Sequence, residues 1–187
     1  MTSKAGSKRR GRIKTVVAAW ATLILVAHAT PVAVQVAEAG ALDACALLTA
    51  AEVAALVPGG RPKPSTSNAN GGPTAVCDWD PPGGGLPTLQ VSVTVDSAAL
   101  KQGLGANRDY LRQVFLNDAR ENRGRLIPDL GDLAKVKSVI ALSADATVIV
   151  GTTWIEVAYS GNGAPGKQEE VVALARKVVG RLGAQKK

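Results

Sequence analysis

The chain carries one histidine, His28, and two cysteines, Cys45 and Cys77. His28 lies within an apolar N-terminal run that reads as a removable targeting segment, so the rest of the protein is expected to work without an imidazole. Without it there are no His-based triads, no His metal ligands and no common general base near neutral pH. Joining the two cysteines would also remove thiolate nucleophiles and thiolate-bound metals. Carboxylates, hydroxyls and lysine amines are left to do chemistry.

None of these residue types falls into a recognisable constellation. Asp78 and Asp80, with Asp96, could face a hard cation. Calcium needs six to eight oxygens, and no EF-hand spacing is present. Gly83-Gly84-Gly85 could cradle an anion, but it precedes a strand rather than opening a helix, so a flexible turn is the plainer reading. No serine sits in a Gly-x-Ser-x-Gly or Ser-x-x-Lys context. Neither a metal nor a cofactor is expected. The strongest surface feature is a run of arginines, Arg108, Arg112, Arg120 and Arg123, which fall within about a third of a turn of one another at helical phase. Such a stripe could meet an envelope protein, an anionic polymer or lipid headgroups. A solvated face, partly neutralised by Asp109 and Glu121, is the bland alternative.

Charge and hydropathy separate the chain into two parts. Of its 187 residues 46% are hydrophobic and only 3% aromatic, so the core must be aliphatic. The formal charge is +7, but six of the 22 Lys and Arg fall in the first fourteen residues. From Gly40 onward 16 basic residues face 14 acidic ones, a net of +2. A nucleic-acid partner is therefore not expected. The basic start is followed by an uncharged stretch from Thr15 to Ala27, the order of a secretory signal peptide. Ala27-His28-Ala29 and Ala37-Glu38-Ala39 are both small-x-small exits, and the second is preferred. The Arg9-Arg10 pair resembles a twin-arginine signal but lacks the usual apolar follow-up. Kept in place, residues 1–39 would instead be an N-terminal membrane anchor, the one route by which the membrane is expected to hold the chain.

An isolated pair of cysteines in an oxidising compartment is most simply a disulfide. The competing reading makes Cys45 a lipid-bearing cysteine after Leu42-Asp43-Ala44. Asp43 is charged where a small neutral residue belongs, and lipidation would leave Cys77 alone.

The elements that must position these residues follow from period and punctuation. Thr49-Ala50-Ala51-Glu52 is a capping box opening a short helix that stops near Pro58. Arg61–Thr74, rich in Pro, Ser, Asn and Gly, reads as an exposed loop. Ala75–Asp80 reads as a short strand, and Leu89, Val91, Val93 and Val95 alternate with polar residues as a half-buried one. A helix is expected over Asn107–Asn122. Three strands follow, Val136–Leu142, Ala146–Gly151 and Thr153–Tyr159, with turns near Ala144-Asp145 and Gly151-Thr152. A last helix is expected over Lys167–Leu182, ending at Gly183. The order α-β-β-α-β-β-β-α with tight hairpins predicts an α+β domain over residues 40–187, an antiparallel sheet of about five strands with helices packed on one face.

Two segments, Leu42-Asp43-Ala44-Cys45-Ala46-Leu47-Leu48-Thr49-Ala50-Ala51-Glu52-Val53 and Cys77-Asp78-Trp79, together resemble a family of actinobacterial secreted proteins and lipoproteins, domain of unknown function 3558. Leu130-Gly131-Asp132 and the C-terminal Ala-Leu-Ala helix are similar to it too, so the resemblance covers about Leu42–Leu182. It implies an envelope location and supports pairing of Cys45 with Cys77, but brings no activity or catalytic residues. Relatives carry a lipid-bearing cysteine upstream of this pair, and here none precedes Leu42.

The sequence thus predicts an extracytoplasmic protein, secreted or attached to the outer face of the cell membrane, with a non-enzymatic binding, accessory or structural role. A carboxylate-dependent hydrolase or transferase acting on an envelope component is the alternative. The intact mass of the exported protein is expected to start at Gly40 and to rise by two hydrogens on reduction. A mass starting at Met1 would show a retained anchor, and a diacylglycerol-sized adduct would show lipidation of Cys45.

Overall fold

The computed structural model describes residues 42–104 and 108–185. The expected targeting segment, its expected cleavage sites and His28 lie outside the described residues. A 3-10 turn (Ala44–Leu47) and helix α1 (Ala50–Ala54) precede three strands, β1 (Arg61–Ala69), β2 (Gly72–Asp80) and β3 (Thr88–Thr94). A π turn (Leu100–Leu104) and helix α2 (Arg108–Glu121) follow. The chain then forms β4 (Arg125–Leu126), β5 (Leu133–Lys137), β6 (Ser143–Val150) and β7 (Thr153–Ser160) before a 3-10 turn (Ala164–Lys167) and helix α3 (Gln168–Gln185). All seven strands join one antiparallel sheet in the order β1-β2-β3-β7-β6-β5-β4.

The α+β class and antiparallel pairing agree with expectation, while the strand count and helix placement do not. The expected loop 61–74 is exposed along Arg61–Asn68, but it is a hairpin. Its turn, Asn70-Gly71, has φ of 52° and 75°, the left-handed pair that a tight two-residue hairpin demands. Pro62 and Pro64 fit because alternate residues of an edge strand direct their backbone away from the partner. The missing N–H groups therefore fall on the open edge, where they blunt pairing with another chain. The short β4 forms because Gly124 lets the chain press onto β5: a Cβ there would lie 2.0 Å from the Val136 carbonyl.

Alternation along the strands gives the sheet two different faces. On one, Cys77, Trp79, Leu89, Val91, Val93, Val136, Val148, Ile155 and Val157 are all buried. This aliphatic face packs under the 3-10 turn, α1 and α3, with Val171, Val172, Ala175, Val178 and Leu182 of α3 facing it. Helix α2 covers the opposite face through Leu111 and Phe115, which pack with Ile149, Leu133 and Trp154. Helices thus lie on both faces rather than one. A second small apolar cluster gives α2 a seat of its own, which the period-2 pattern of β5–β7 did not single out.

Boundaries also shift in the β5–β6 region. Ala144 and Asp145 lie within β6, and the turn falls earlier, over residues 138–142. Ladder pairing of β5 with β6 ends at Lys137 opposite Asp145. The Ser138 amide is instead taken by the Asn122 carbonyl at the end of α2, 2.8 Å away. The apolar run Val139–Leu142, expected in a strand, is consequently an exposed loop.

Two ties hold the N-terminal turn and α1 against the sheet and α3. Cys45 and Cys77 form a disulfide, Cα atoms 5.1 Å apart, linking the 3-10 turn to β2. The capping box of α1 is present: the Thr49 amide donates to Glu52 at 2.8 Å, and the Glu52 amide to the Thr49 hydroxyl at 3.3 Å. Glu52 also receives both Arg181 guanidinium nitrogens, at 2.7 and 2.8 Å, and the Lys177 ammonium at 3.0 Å. Arg181 further donates to the Leu47 carbonyl at 2.7 Å. Arg181 and Lys177 of α3 thus serve this clamp, and the helix continues past its expected stop at Gly183.

The Arg181 hydrogen bonds hold the Glu52 carboxyl far below its ordinary 4.5, against the opposing effect of burial. A depressed carboxylate stabilises the fold fully above its unfolded value and loses that contribution as pH falls through the folded one. Urea unfolding is therefore expected to show a loss of stability starting below about pH 5, shallower in Glu52→Gln. At neutral pH that variant is expected to cost about 2 kcal/mol. Equal acid sensitivity in the two proteins would show that the clamp does not carry it.

Candidate functional site

The second face of the sheet is where charged side chains gather. Strand alternation and register set them in rows: Lys135, Thr147, Glu156 and Ser92 in one, Lys137, Asp145, Ala158 and Gln90 in the next. Helix α2 adds Asp118 from above. The Asp118 carboxylate receives the ammonium groups of Lys135 and of Lys137, the latter at 3.0 Å. The Lys135 side chain is only 9% exposed, and its ammonium lies 4.3 Å from the Phe115 ring centroid, a cation–π position. Phe115 in turn meets Trp154 edge-on, centroids 6.0 Å apart. The Trp154 indole donates to Glu156 at 2.9 Å.

Two carboxyls respond to this setting in opposite directions. Burial tends to raise Asp118, but hydrogen bonds from Lys135 and Lys137 outweigh it and hold the group below its ordinary value. Asp145, directly opposite Lys137 in the ladder, is pushed up, chiefly by burial. The Lys137 charge resists that rise, whereas Glu156 and Asp118 add to it. A carboxyl raised beside a second carboxylate is one arrangement that can divide acid and base roles. Here the surrounding groups are largely committed: Asp118 to two lysines, and Glu156 to the Trp154 indole. The chemistry most evident in the cluster is cohesion between α2 and the sheet.

The arginines singled out by sequence are distributed around this helix. Arg108 is its first residue, and its side chain lies outside the described set. Arg112 and Arg120 are exposed on the helix. Arg112 lines a groove of about 420 Å³ against Leu126, Pro128, Asp129 and Leu133. Arg123 lies beyond the helix in a left-handed conformation, φ 52°. The following Gly124 amide returns to the Ala119 carbonyl at 2.6 Å, the closure that ends the helix. Arg123 is therefore at the α2–β4 corner and not on the helical stripe. Among the described residues, Arg112, Arg120 and Arg123 are exposed and join no salt bridge with another described side chain.

The other candidates do not converge. Asp78 accepts from Gln90 at 2.7 Å and Asp80 pairs with Lys63. Asp96 lies past the far end of β3, where Lys101 and Thr152 reach it. Gly83, Gly84 and Gly85 form an open turn with positive φ throughout. The Asp118–Lys135–Lys137 group and Asp145 were not legible as a site. The only sequence signal was that Lys135, Lys137 and Asp145 hold alternating positions flanking apolar ones. The chain matches no protein-family model, no curated protein and no solved structure.

Because Asp118 is the carboxylate that meets the nearly buried Lys135, Asp118→Asn is expected to cost about 2–3 kcal/mol in urea unfolding. Adding Lys135→Met is expected to restore most of that loss, since it removes the stranded charge. A double variant as unstable as the sum of its parts would show that the pair is not coupled.

Proposed function

We propose that this protein is an exported, disulfide-stapled binding domain of the cell envelope, non-enzymatic, that engages an anionic partner through the basic rim of α2. The observation that carries the reading is the exposure of Arg112, Arg120 and Arg123 without acidic partners among the described side chains, while Lys135 and Lys137 on the adjoining sheet face are both paired with Asp118. Exposed, uncompensated arginines on a rigid helix and its corner are suited to polyanion contact, since each guanidinium can fork onto phosphate, sulfate or carboxylate oxygens. The Cys45–Cys77 disulfide supports an oxidising compartment, in line with the basic and apolar N-terminal segment and with the resemblance to actinobacterial envelope proteins. No helix among the described residues is long and apolar enough to cross a membrane. Asp145 and Glu156 are the residues a carboxylate-dependent reaction would use. The binding reading is preferred because their neighbours are held in structural contacts.

The full chain is expected to bind a polyphosphate resin at low ionic strength and to elute as salt rises. Changing Arg112, Arg120 and Arg123 together to Ser is expected to weaken retention about tenfold, given roughly 0.5 kcal/mol per exposed contact. The parent carries the same N-terminal charges, so the difference reports the rim alone. Identical elution would remove the arginines from the binding surface.

A further inference from the structure

The end of the sheet beside the α2 corner exposes apolar side chains that the core does not use. Val139 is 50% exposed, Ile140 62% and Leu142 40%, all in the β5–β6 loop. Leu86, at 53%, belongs to the β2–β3 loop. Register brings the two loops to the same end: Thr88 of β3 and Ser143 of β6 both lie opposite Ser160 of β7. Two strand spacings, about 10 Å, separate them. Gly161 touches both loops: its amide is bonded to the Leu142 carbonyl at 2.8 Å, and a Cβ on it would lie 3.0 Å from Pro87. Four of the seven exposed large hydrophobic side chains among the described residues are therefore gathered at one tip. Scattered apolar side chains need no explanation, but a run from Val139 to Leu142 held out on a loop does.

The base of this loop adjoins the corner of the basic rim, just past Lys137, which is paired with Asp118. The Ser138 amide is bonded to the Asn122 carbonyl at 2.8 Å, and Gln168 bridges the Arg123 carbonyl and the Ser138 hydroxyl at 3.1 and 3.0 Å. Arg123 thus stands at the base of the loop, with Arg120 one turn of α2 behind it. Glu121 is the acidic residue between them, and Lys167, also at this end, is met by Glu170 at 2.9 Å. An apolar tip beside two exposed arginines that join no salt bridge among the described side chains fits a bilayer surface that is apolar inside and anionic at the headgroups.

We infer that the 139–142 loop, with Leu86, inserts into the outer leaflet of an anionic lipid membrane, while Arg120 and Arg123 lie among the phosphates. The inference rests on the anionic-partner reading and names the lipid surface as that partner. The loop places the domain against the bilayer independently of the N-terminal segment.

A local probe separates the loop from the N-terminal segment in the full chain. The native cysteines are joined, so an environment-sensitive fluorophore can be attached through Ile140→Cys, or through Val150→Cys, exposed at the far end of β6 on the opposite end of the sheet. With vesicles of phosphatidylcholine and phosphatidylglycerol, the label at position 140 is expected to shift to the blue, to be quenched by a lipid-borne nitroxide and to be shielded from iodide. The label at position 150 is expected to stay accessible to iodide. Arg120→Ser with Arg123→Ser is expected to lower the bound fraction of the position-140 label, read from its blue shift, by about fivefold. Equal iodide access at both positions would overturn the inference. Shielding of position 140 without lipid, rising with protein concentration, would overturn it in favour of a contact between copies. If polyphosphate retention persists while the label at position 140 stays in water, only the membrane inference fails. If both are lost, the binding reading fails with it.

Discussion

Pairing of β3 with β7 joins two parts of the chain that are separate in sequence, and the other contacts depend on it. Residues Thr88–Thr94 meet Ser160–Trp154 in continuous antiparallel register. On one side of this seam lies the meander β1-β2-β3, on the other β7-β6-β5-β4. Each half alone would be a small sheet with an unfilled edge and half a hydrophobic face. Joined, Val91 lies opposite Val157 and Val93 opposite Ile155, making a continuous apolar surface under α3. A slip of one residue would turn that surface to the other side of the sheet.

The same register assembles the polar face, because every residue that points inward commits its neighbours to point outward. Glu156 lies between Ile155 and Val157, and Asp145 between Ala144 and Ala146. Helix α2 then covers part of that face with a small apolar cluster, Leu111 and Phe115 on Ile149, Leu133 and Trp154, and a salt bridge. The protein is therefore asymmetric in its chemistry. One side is held by a large aliphatic core, a disulfide and the Glu52–Arg181 clamp, the other by a small apolar cluster and a few ionic contacts.

Surface features follow from where the elements stop. The corner after α2 takes the Ser138 amide out of the ladder, so β5 ends at Lys137 and the apolar residues after it are displaced into solvent. The same corner leaves Arg123 beside that loop. The exposed tip and its arginines thus share one structural cause, the docking of the α2 terminus against the end of β5.

The sequence by itself determined what short-range rules govern. The capping box at Thr49–Glu52, the alternation of Leu89–Val93, the helical period of α3, the even pair of cysteines and the charge-rich N-terminal segment were all readable, because each is a pattern within a few residues or a matter of composition. Tertiary structure decided what depends on partners distant in the chain. It made Arg61–Ala69 an edge strand, because its prolines have an open side only when β2 supplies the other. It placed α2 opposite α3, because Phe115 finds Trp154 only after β7 is built into the sheet. It also turned the apolar Val139–Leu142 outward, where hydrophobicity alone had predicted a strand, since a ladder extends only as far as its partner backbone groups are free to bond.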